Sequence, residues 1–387
     1  MRIKQEGENT AGKVEFNLPI YDPESLTQRF SSYEIATFFS QVLNTVYQGQ
    51  SYNVRGNSIP EYEKLIAQGT LLPFLVFDGT KPIASYSAQW YGATVDMGMA
   101  AILPEYRFGE VRKIRGRDLY LKAHRWVEGN LSDKIALITG KSTLPESAVI
   151  AYKYCRRWPC WIAPIATLGY PSELLEEEVR KQSFLLYSEK YPRGNAYSPK
   201  KVYLPKDFTC SQQIAVLWEQ FNLHYPGNSR TNFIYRDGLQ IPDRCLIYHQ
   251  ESDARKVIMT CNFDNQVDSL TIEDALQGLL STGDHSQVPF TRVVLVEVPA
   301  DRPESSQLQN SLLNKGFVFC GILPGIQPTI FQKPLGEKDV FSRQPLLLYG
   351  KLRPGIDKVL DSPTIPSLDN ERLDRTIETI CRTWQSN

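Results

Sequence analysis

Paired cysteines, clustered histidines, long apolar runs and net charge are all missing from this 387-residue chain. Each absence removes a class of function. The seven cysteines (Cys155, Cys160, Cys210, Cys245, Cys261, Cys320, Cys381) are an odd number with no C-x-x-C spacing. That pattern points to reduced thiols in a cytoplasmic protein rather than a disulfide framework. Cys155 and Cys160 enclose Arg-Arg-Trp-Pro, with no nearby histidine to complete a zinc site. His124, His224, His249 and His285 are scattered without ligand spacing, so no metal is expected. The start, MRIKQEGENTAGK, lacks an apolar signal core. No stretch reaches the roughly 18 apolar residues of a membrane span. Lys and Arg total 43 and balance 43 Asp and Glu. The balance argues against a nucleic-acid binder with a broadly basic surface, but leaves room for a local basic patch.

Bulk is not lacking. With 20 Tyr, 17 Phe and 6 Trp the chain can fill two sizeable cores, and its length suits two domains of about 150 residues each. Apolar residues at helical spacing (Ile35, Phe38, Phe39, Val42, Leu43, Val46) predict a helix over 32–47, and a shorter one is expected over 60–68. PFLVFD, the Asp78-Gly79 turn and KPIASYSAQWY read as a hairpin, followed by a third strand, TVDMGMAAIL, that Pro104 stops. A helix over 118–128, a strand over 134–139, a helix over 145–154 and a strand over 160–168 complete an α+β pattern around a mixed sheet. The stretch 172–187 reads as a charged helix, and 191–205, rich in Pro, Gly and Tyr, as an inter-domain linker. The second half partly repeats the first. Helices are expected over 212–222, 271–280 and 305–315, with strands over 244–249, 256–262, 291–298, 317–322 and 344–350. An amphipathic tail over 369–384 is expected to dock on the body.

From Val95 the chain reads VDMGMAAILPEYRFGEVRKIRGRDLYLKAHRWV: a strand ending in Pro-Glu-Tyr-Arg, a glycine-containing loop, then a helix. It continues IALITGKSTLPESAVIAYKYCRRW, and near its end carries VVLVEVPADRPESSQLQNSLLNKGFVFCGILPG and QPLLLYGKL. These segments resemble the GNAT N-acetyltransferase superfamily. The resemblance implies two GNAT-like domains, each a mixed, mostly antiparallel sheet flanked by helices, plus a C-terminal helix. It divides the chain into an acyl-CoA-binding domain over 1–190, a linker over 191–205, a degenerate copy over 206–352 and a tail over 353–387. The second half has no Gly-rich loop ahead of its helix, so acyl-CoA is expected in the first half only.

The family's phosphate loop has its nearest counterpart in Lys113, Ile114, Arg115, Gly116, Arg117 and Asp118, and Arg112 just ahead of it joins them as a candidate cofactor-binding residue. A helix N-terminus offers unpaired N–H groups and partial positive charge to a phosphate, and glycine permits close backbone approach. Four cations at a helix start oppose the helix dipole, a conflict that an anionic ligand relieves. The alternative is a solvated basic turn. By the resemblance, backbone N–H groups of Ala101, Ile102 and Leu103 meet the thioester oxygen as it gains charge, and Tyr152 protonates the departing thiolate. With a pKa near 10, phenol suits that donor role. Asp96, on the third strand, is placed to act as base or to recognise an amine; the alternative is an exposed strand residue. Glu105 belongs to a structural corner, and His124, beside Lys122 and Arg125, reads as a surface residue.

The implied activity is transfer of an acyl group from acyl-CoA to an amine on a small molecule, an amino acid or a peptide Lys or ornithine side chain, with a fatty acyl group among the candidates. Two alternatives stay open: a non-catalytic tandem protein that binds acyl-CoA or a partner, and an aminoacyl-tRNA-dependent peptidyl transferase. Zero net charge disfavours the last, because tRNA affinity depends on Lys and Arg contacts to phosphates.

Overall fold

The computed structural model describes residues 18–47, 58–107, 115–142, 145–164, 184–206, 209–228, 230–236, 245–251, 256–261, 293–332, 338–352 and 367–386, with a few isolated residues between them. Its spine is one twelve-stranded sheet. A short strand β1 (Ile20–Tyr21) and helices α1 (Pro23–Thr27), α2 (Ser32–Tyr47) and α3 (Ile59–Ala67) lead into a meander of β2 (Leu71–Asp78), β3 (Lys81–Tyr91) and β4 (Thr94–Ile102). The α4 turn (Pro104–Arg107) and helix α5 (Gly116–Leu131) connect β4 to β5 (Leu137–Ser142), which lies parallel to it. Helix α6 (Pro145–Val149) runs into a π-helical turn (Ile150–Tyr154), followed by β6 (Trp158–Pro164) and β7 (Phe184–Lys190).

The two faces of this half-sheet are covered separately. Ile35, Phe39 and Val42 of α2 and Tyr62 and Ile66 of α3 pack on Leu71, Leu75 and Phe77. Leu119, Ala123 and Val127 of α5 pack on Phe74, Tyr86, Val95, Met97 and Ile138 on the other face. Alternate residues of one strand therefore serve opposite layers, as the two-residue period of a strand requires.

The second half comprises β8 (Ala196–Tyr197), β9 (Lys201–Leu204), α7 (Thr209–His224), β10 (Asn232–Tyr235), β11 (Leu246–Glu251), β12 (Lys256–Cys261), β13 (Val293–Pro299), α8 (Ser305–Asn314) and β14 (Val318–Leu323). It ends with β15 (Gly325–Gln332), β16 (Lys338–Arg343), β17 (Leu346–Leu352) and α9 (Glu371–Ser386). The full sheet order is β1-β2-β3-β4-β5-β7-β6-β14-β17-β13-β12-β11. Outward from the β6–β14 seam, β7, β5, β4 and β3 are matched by β17, β13, β12 and β11, and each side has one parallel pair. Each parallel pair also carries a threonine–carboxylate hydrogen bond across it: Thr139 Oγ1 donates to Asp96 Oδ1 at 2.8 Å, and Thr260 Oγ1 to Glu297 Oε2 at 2.9 Å.

The α+β class read from the sequence is the one found. Several elements differ from expectation. Phe184–Lys190 is the strand β7, not the end of a helix over 172–187; its first three residues are all buried, and such a run carries no period that separates helix from strand. Residues 172–183 lie outside the described residues, as does most of the helix expected over 271–280. The Pro- and Gly-rich stretch 191–205 contributes β8 and β9 and buries Tyr191, Val202 and Leu204. The β15–β16 hairpin was not expected at all. The tail helix α9 docks as expected, burying Leu373, Ile377, Ile380 and Trp384.

Candidate functional site

β4 and β5 form a fork. They pair in parallel from Thr94–Leu137 to Met97–Gly140, and the pairing stops there. Beyond it, Lys141 and Ser142 pair with β7, while β4 stays with β3. A β-bulge bends β4 at this point. Ser87 matches Gly98 and Ser85 matches Ala101, so two residues of β4 oppose one of β3, and Met99 takes φ +51°. A non-glycine residue in the left-handed region carries strain of about 1 kcal/mol or more, which marks the bulge as a built feature.

The N-terminus of α5 stands beside the end of β4: a Cβ on Gly116 would lie 3.5 Å from Ile102 Cδ1. Arg115 is the N-cap residue in extended conformation, and its side chain does not cap the helix. Of the loop residues read from the sequence, Arg115, Gly116, Arg117 and Asp118 are therefore at this end of the fork, while Arg112, Lys113 and Ile114 lie outside the described residues. Arg117 lies over the ring of Tyr154 at 5.2 Å and approaches Asp118 Oδ1 at 3.6 Å. A hydrogen bond to Tyr154 and the Asp118 charge raise its pKa.

The turn that carries Tyr152 and Tyr154 is wider than the regular helix expected over 145–154. Cys155 N donates to Ile150 O at 3.1 Å, a π-type closure, and Arg156 follows with φ +55°. The extra residue per turn rotates the two tyrosines relative to an α-helix. Tyr154, 47% exposed, meets Arg117. Tyr152 instead stacks on His224 at 5.1 Å and accepts from Asn370 Nδ2 at 3.1 Å, with burial raising its pKa. The structure thus joins Tyr154, not Tyr152, to the helix start.

Asp96 is half-buried on β4, on the sheet face opposite α5, because the flanking Val95 and Met97 belong to the α5 core. Of the three groups expected near the thioester oxygen, Ala101 and Ile102 lie on the bulged half of β4, and the Leu103 N–H donates to Ile83 O at 2.9 Å. Glu105 pairs with Lys81 at 2.9 Å on the surface, in keeping with a structural corner.

His124 corrects the sequence reading. It is 2% exposed, beneath α5, and neither ring nitrogen has a hydrogen-bond partner. Burial first, then the charges of Arg157 and Lys190, push its pKa well below the usual range, so the imidazole is neutral. Arg157 was missed as well. It is 1% exposed, and its guanidinium lies over Gly140, the last residue of the fork's paired base. Nη1 donates to Thr139 O at 3.3 Å, and Nε has no partner. The Tyr86 hydroxyl on β3 is also buried without a partner, its ring stacked on Tyr120 at 4.3 Å. Cys155, between the turn and Arg157, is pushed by burial up to about 11 and is a neutral thiol. The glycine in ITGKS was the available signal, since an arginine can lie on a strand only where no Cβ stands in its way.

The described residues hold no group of three or more side chains arranged to bind a metal ion, and no helix long and apolar enough to cross a membrane. No protein-family model and no curated protein matches the chain. Among solved structures, it is similar to a GNAT-family acetyltransferase from Streptococcus pneumoniae (14% identity, 45% of this chain and 99% of that one, TM-score 0.33). It is also similar to an N-acetyltransferase from Thermoplasma acidophilum in complex with coenzyme A (13% identity, 45% and 99%, TM-score 0.28). A GNAT-family protein from Desulfovibrio desulfuricans gives 9% identity over 45% of this chain and 98% of that one, with TM-score 0.28.

Proposed function

We propose that the fork between β4 and β5 is the site of an acyl-CoA-dependent N-acyltransferase. One observation carries this reading. A bulged strand parts from its parallel neighbour next to an uncapped helix N-terminus, and a tyrosine stands beside the arginine at that helix start. These residues fit acyl-CoA. The first turn of α5 offers backbone N–H groups and the positive end of a dipole to the pyrophosphate, with Arg115 adding charge. Where β4 and β5 stop pairing, beyond Met97 and Gly140, an extended arm would lie between the two strand edges. Bound there, acyl-CoA supplies an activated carbonyl.

The chain's own groups have divided roles. Asp96, on the opposite face from α5, holds the acceptor ammonium and accepts its proton, directly or through water. The amine nitrogen bonds to the acyl carbon, the carbon–sulfur bond breaks, and the sulfur takes a proton from a phenol. Arg117 orients Tyr154 for that donation. Tyr152 is the family-implied candidate for the same role, and its contacts with Asn370 and His224 support a structural one. The two halves act as a catalytic domain and a supporting one, with boundaries near residues 190 and 206. Binding without turnover is a second reading, favoured by the occupied Leu103 N–H.

Titration of the full chain with coenzyme A and with acyl-CoAs of increasing length, followed by turnover assays on amines, amino acids and lysine peptides, tests this. Binding with turnover supports the transferase, and binding without turnover supports the second reading. No binding to any of the ligands removes both.

A further inference from the structure

We propose that Arg157 receives a carboxylate carried by the acyl group, so that the donor is a dicarboxylic acyl thioester such as succinyl- or glutaryl-CoA. The inference rests on the acyltransferase reading and specifies its donor.

It starts from an uncompensated cation. Among the described residues Arg157 makes no ion pair; its side chain donates from Nη1 to the Thr139 carbonyl, and Nε has no partner. A buried guanidinium without a counter-charge is costly, and native chains keep such groups paired or hydrogen-bonded. The two carboxylates near it already have partners: Glu128 pairs with Lys190, and Asp96, on the other face of the sheet, accepts from Thr139. The imidazole of His124 is neutral, and the Tyr86 hydroxyl and Cys155 thiol are un-ionised. His124 and Tyr86 also have buried polar atoms without partners. Each presents an N–H or O–H where an acceptor is missing. Together they lack what a carboxylate brings: negative charge and several lone pairs.

Location assigns that carboxylate to the donor rather than the acceptor. A Cβ on Gly140 would lie 2.8 Å from Arg157 Cζ and 2.9 Å from Met97 O, so the guanidinium sits at the crotch of the fork. Gly140 pairs with Met97, whose side chain joins the α5 core, so this is the α5 face. Arg117 and Tyr154 meet at the start of the same helix. Asp96, proposed to meet the amine, is on the other face. An acyl group reaching inward from the bulge ends near Arg157, whereas a carboxylate on the acceptor would have to cross the sheet.

The test is calorimetric titration of the full chain with coenzyme A, acetyl-, butyryl- and succinyl-CoA, repeated with Arg157→Gln and Arg157→Lys. Succinyl-CoA is expected to bind wild type about ten-fold or more tighter than the similarly sized, uncharged butyryl-CoA, as for a charge-assisted bond in a desolvated site. Arg157→Gln is expected to erase the difference and Arg157→Lys to restore part of it. Equal affinities in wild type, or a preference that survives Arg157→Gln, would overturn the inference. If coenzyme A itself does not bind, the acyltransferase reading fails first. If it binds without a carboxylate preference, only the role of Arg157 is lost. Should Arg157→Gln fail to unfold cooperatively, the comparison passes to wild type and Arg157→Lys; identical preferences in those two would also overturn it.

Discussion

Gly321 sits opposite Trp161, and this match joins β14 to β6 and thereby the two halves of the sheet. The strands can approach so closely because Gly321 has no side chain. At its φ of +156° a Cβ would overlap the Cys160 carbonyl oxygen and lie 2.7 Å from Trp161 Cα. The seam is therefore backbone against backbone.

Gly321→Ala should cost about 3 kcal/mol or more, because the obstructing atoms are main chain and cannot rotate away. The urea midpoint, followed by the far-UV signal of the whole chain, should fall. An unchanged midpoint would mean that the seam opens freely.

A second fastening spans the halves through side chains. Arg343 Nη1 and Nη2 donate to Glu189 Oε1 and Oε2 at 2.9 and 2.5 Å, with the Tyr191 hydroxyl also on the carboxylate. Burial alone would raise the Glu189 pKa, but the Arg343 charge and these bonds outweigh it and the net shift is downward. A lowered folded pKa gives stability that is fully present above the unfolded value, near 4.3, and is lost as pH falls through the folded one. Glu189→Gln should remove about 3–5 kcal/mol at neutral pH by stranding a buried cation. It should also flatten the acid limb of a stability–pH curve below about pH 4. A variant with the wild-type acid limb would place that pH dependence elsewhere.

Arg115→Ala should weaken coenzyme A binding about ten-fold at low salt, and the gap to wild type should narrow as salt screens the lost charge. Affinity equal to wild type at every salt concentration would remove the pyrophosphate from the start of α5.

Much of the first half was legible because its periods are clean. The spacing of Ile35, Phe39 and Val42 and the Asp78-Gly79 turn predict α2 and the β2–β3 hairpin almost to the residue. β7 was not legible, since Phe184, Leu185 and Leu186 are all buried and erase the alternation. The site was half legible. Gly116 and its cations stand out in sequence, but the fork depends on where β4 and β5 stop pairing, and no residue type encodes that. His124 reads as a surface residue from its charged neighbours Lys122 and Arg125, whereas helical geometry turns it inward with Ala123 and Val127.

The two tyrosines of the π-turn should separate cleanly. One π-closure rotates Tyr154 toward Arg117 and leaves Tyr152 on His224 and Asn370. Tyr154→Phe keeps the ring over which Arg117 lies and removes only the hydroxyl. It should lower kcat by about 10²-fold, within the usual range for a lost general acid, with little change in coenzyme A affinity or thermal midpoint. Tyr152→Phe removes the acceptor of the Asn370 bond, which ties the start of α9 to this turn. It should cost about 1 kcal/mol of stability and leave kcat near wild type. Steady-state kinetics and thermal unfolding of both variants decide the matter. If the losses are reversed, so that Tyr152→Phe abolishes turnover and Tyr154→Phe does not, the acid is the tyrosine facing α9, and the site must extend toward the C-terminal helix.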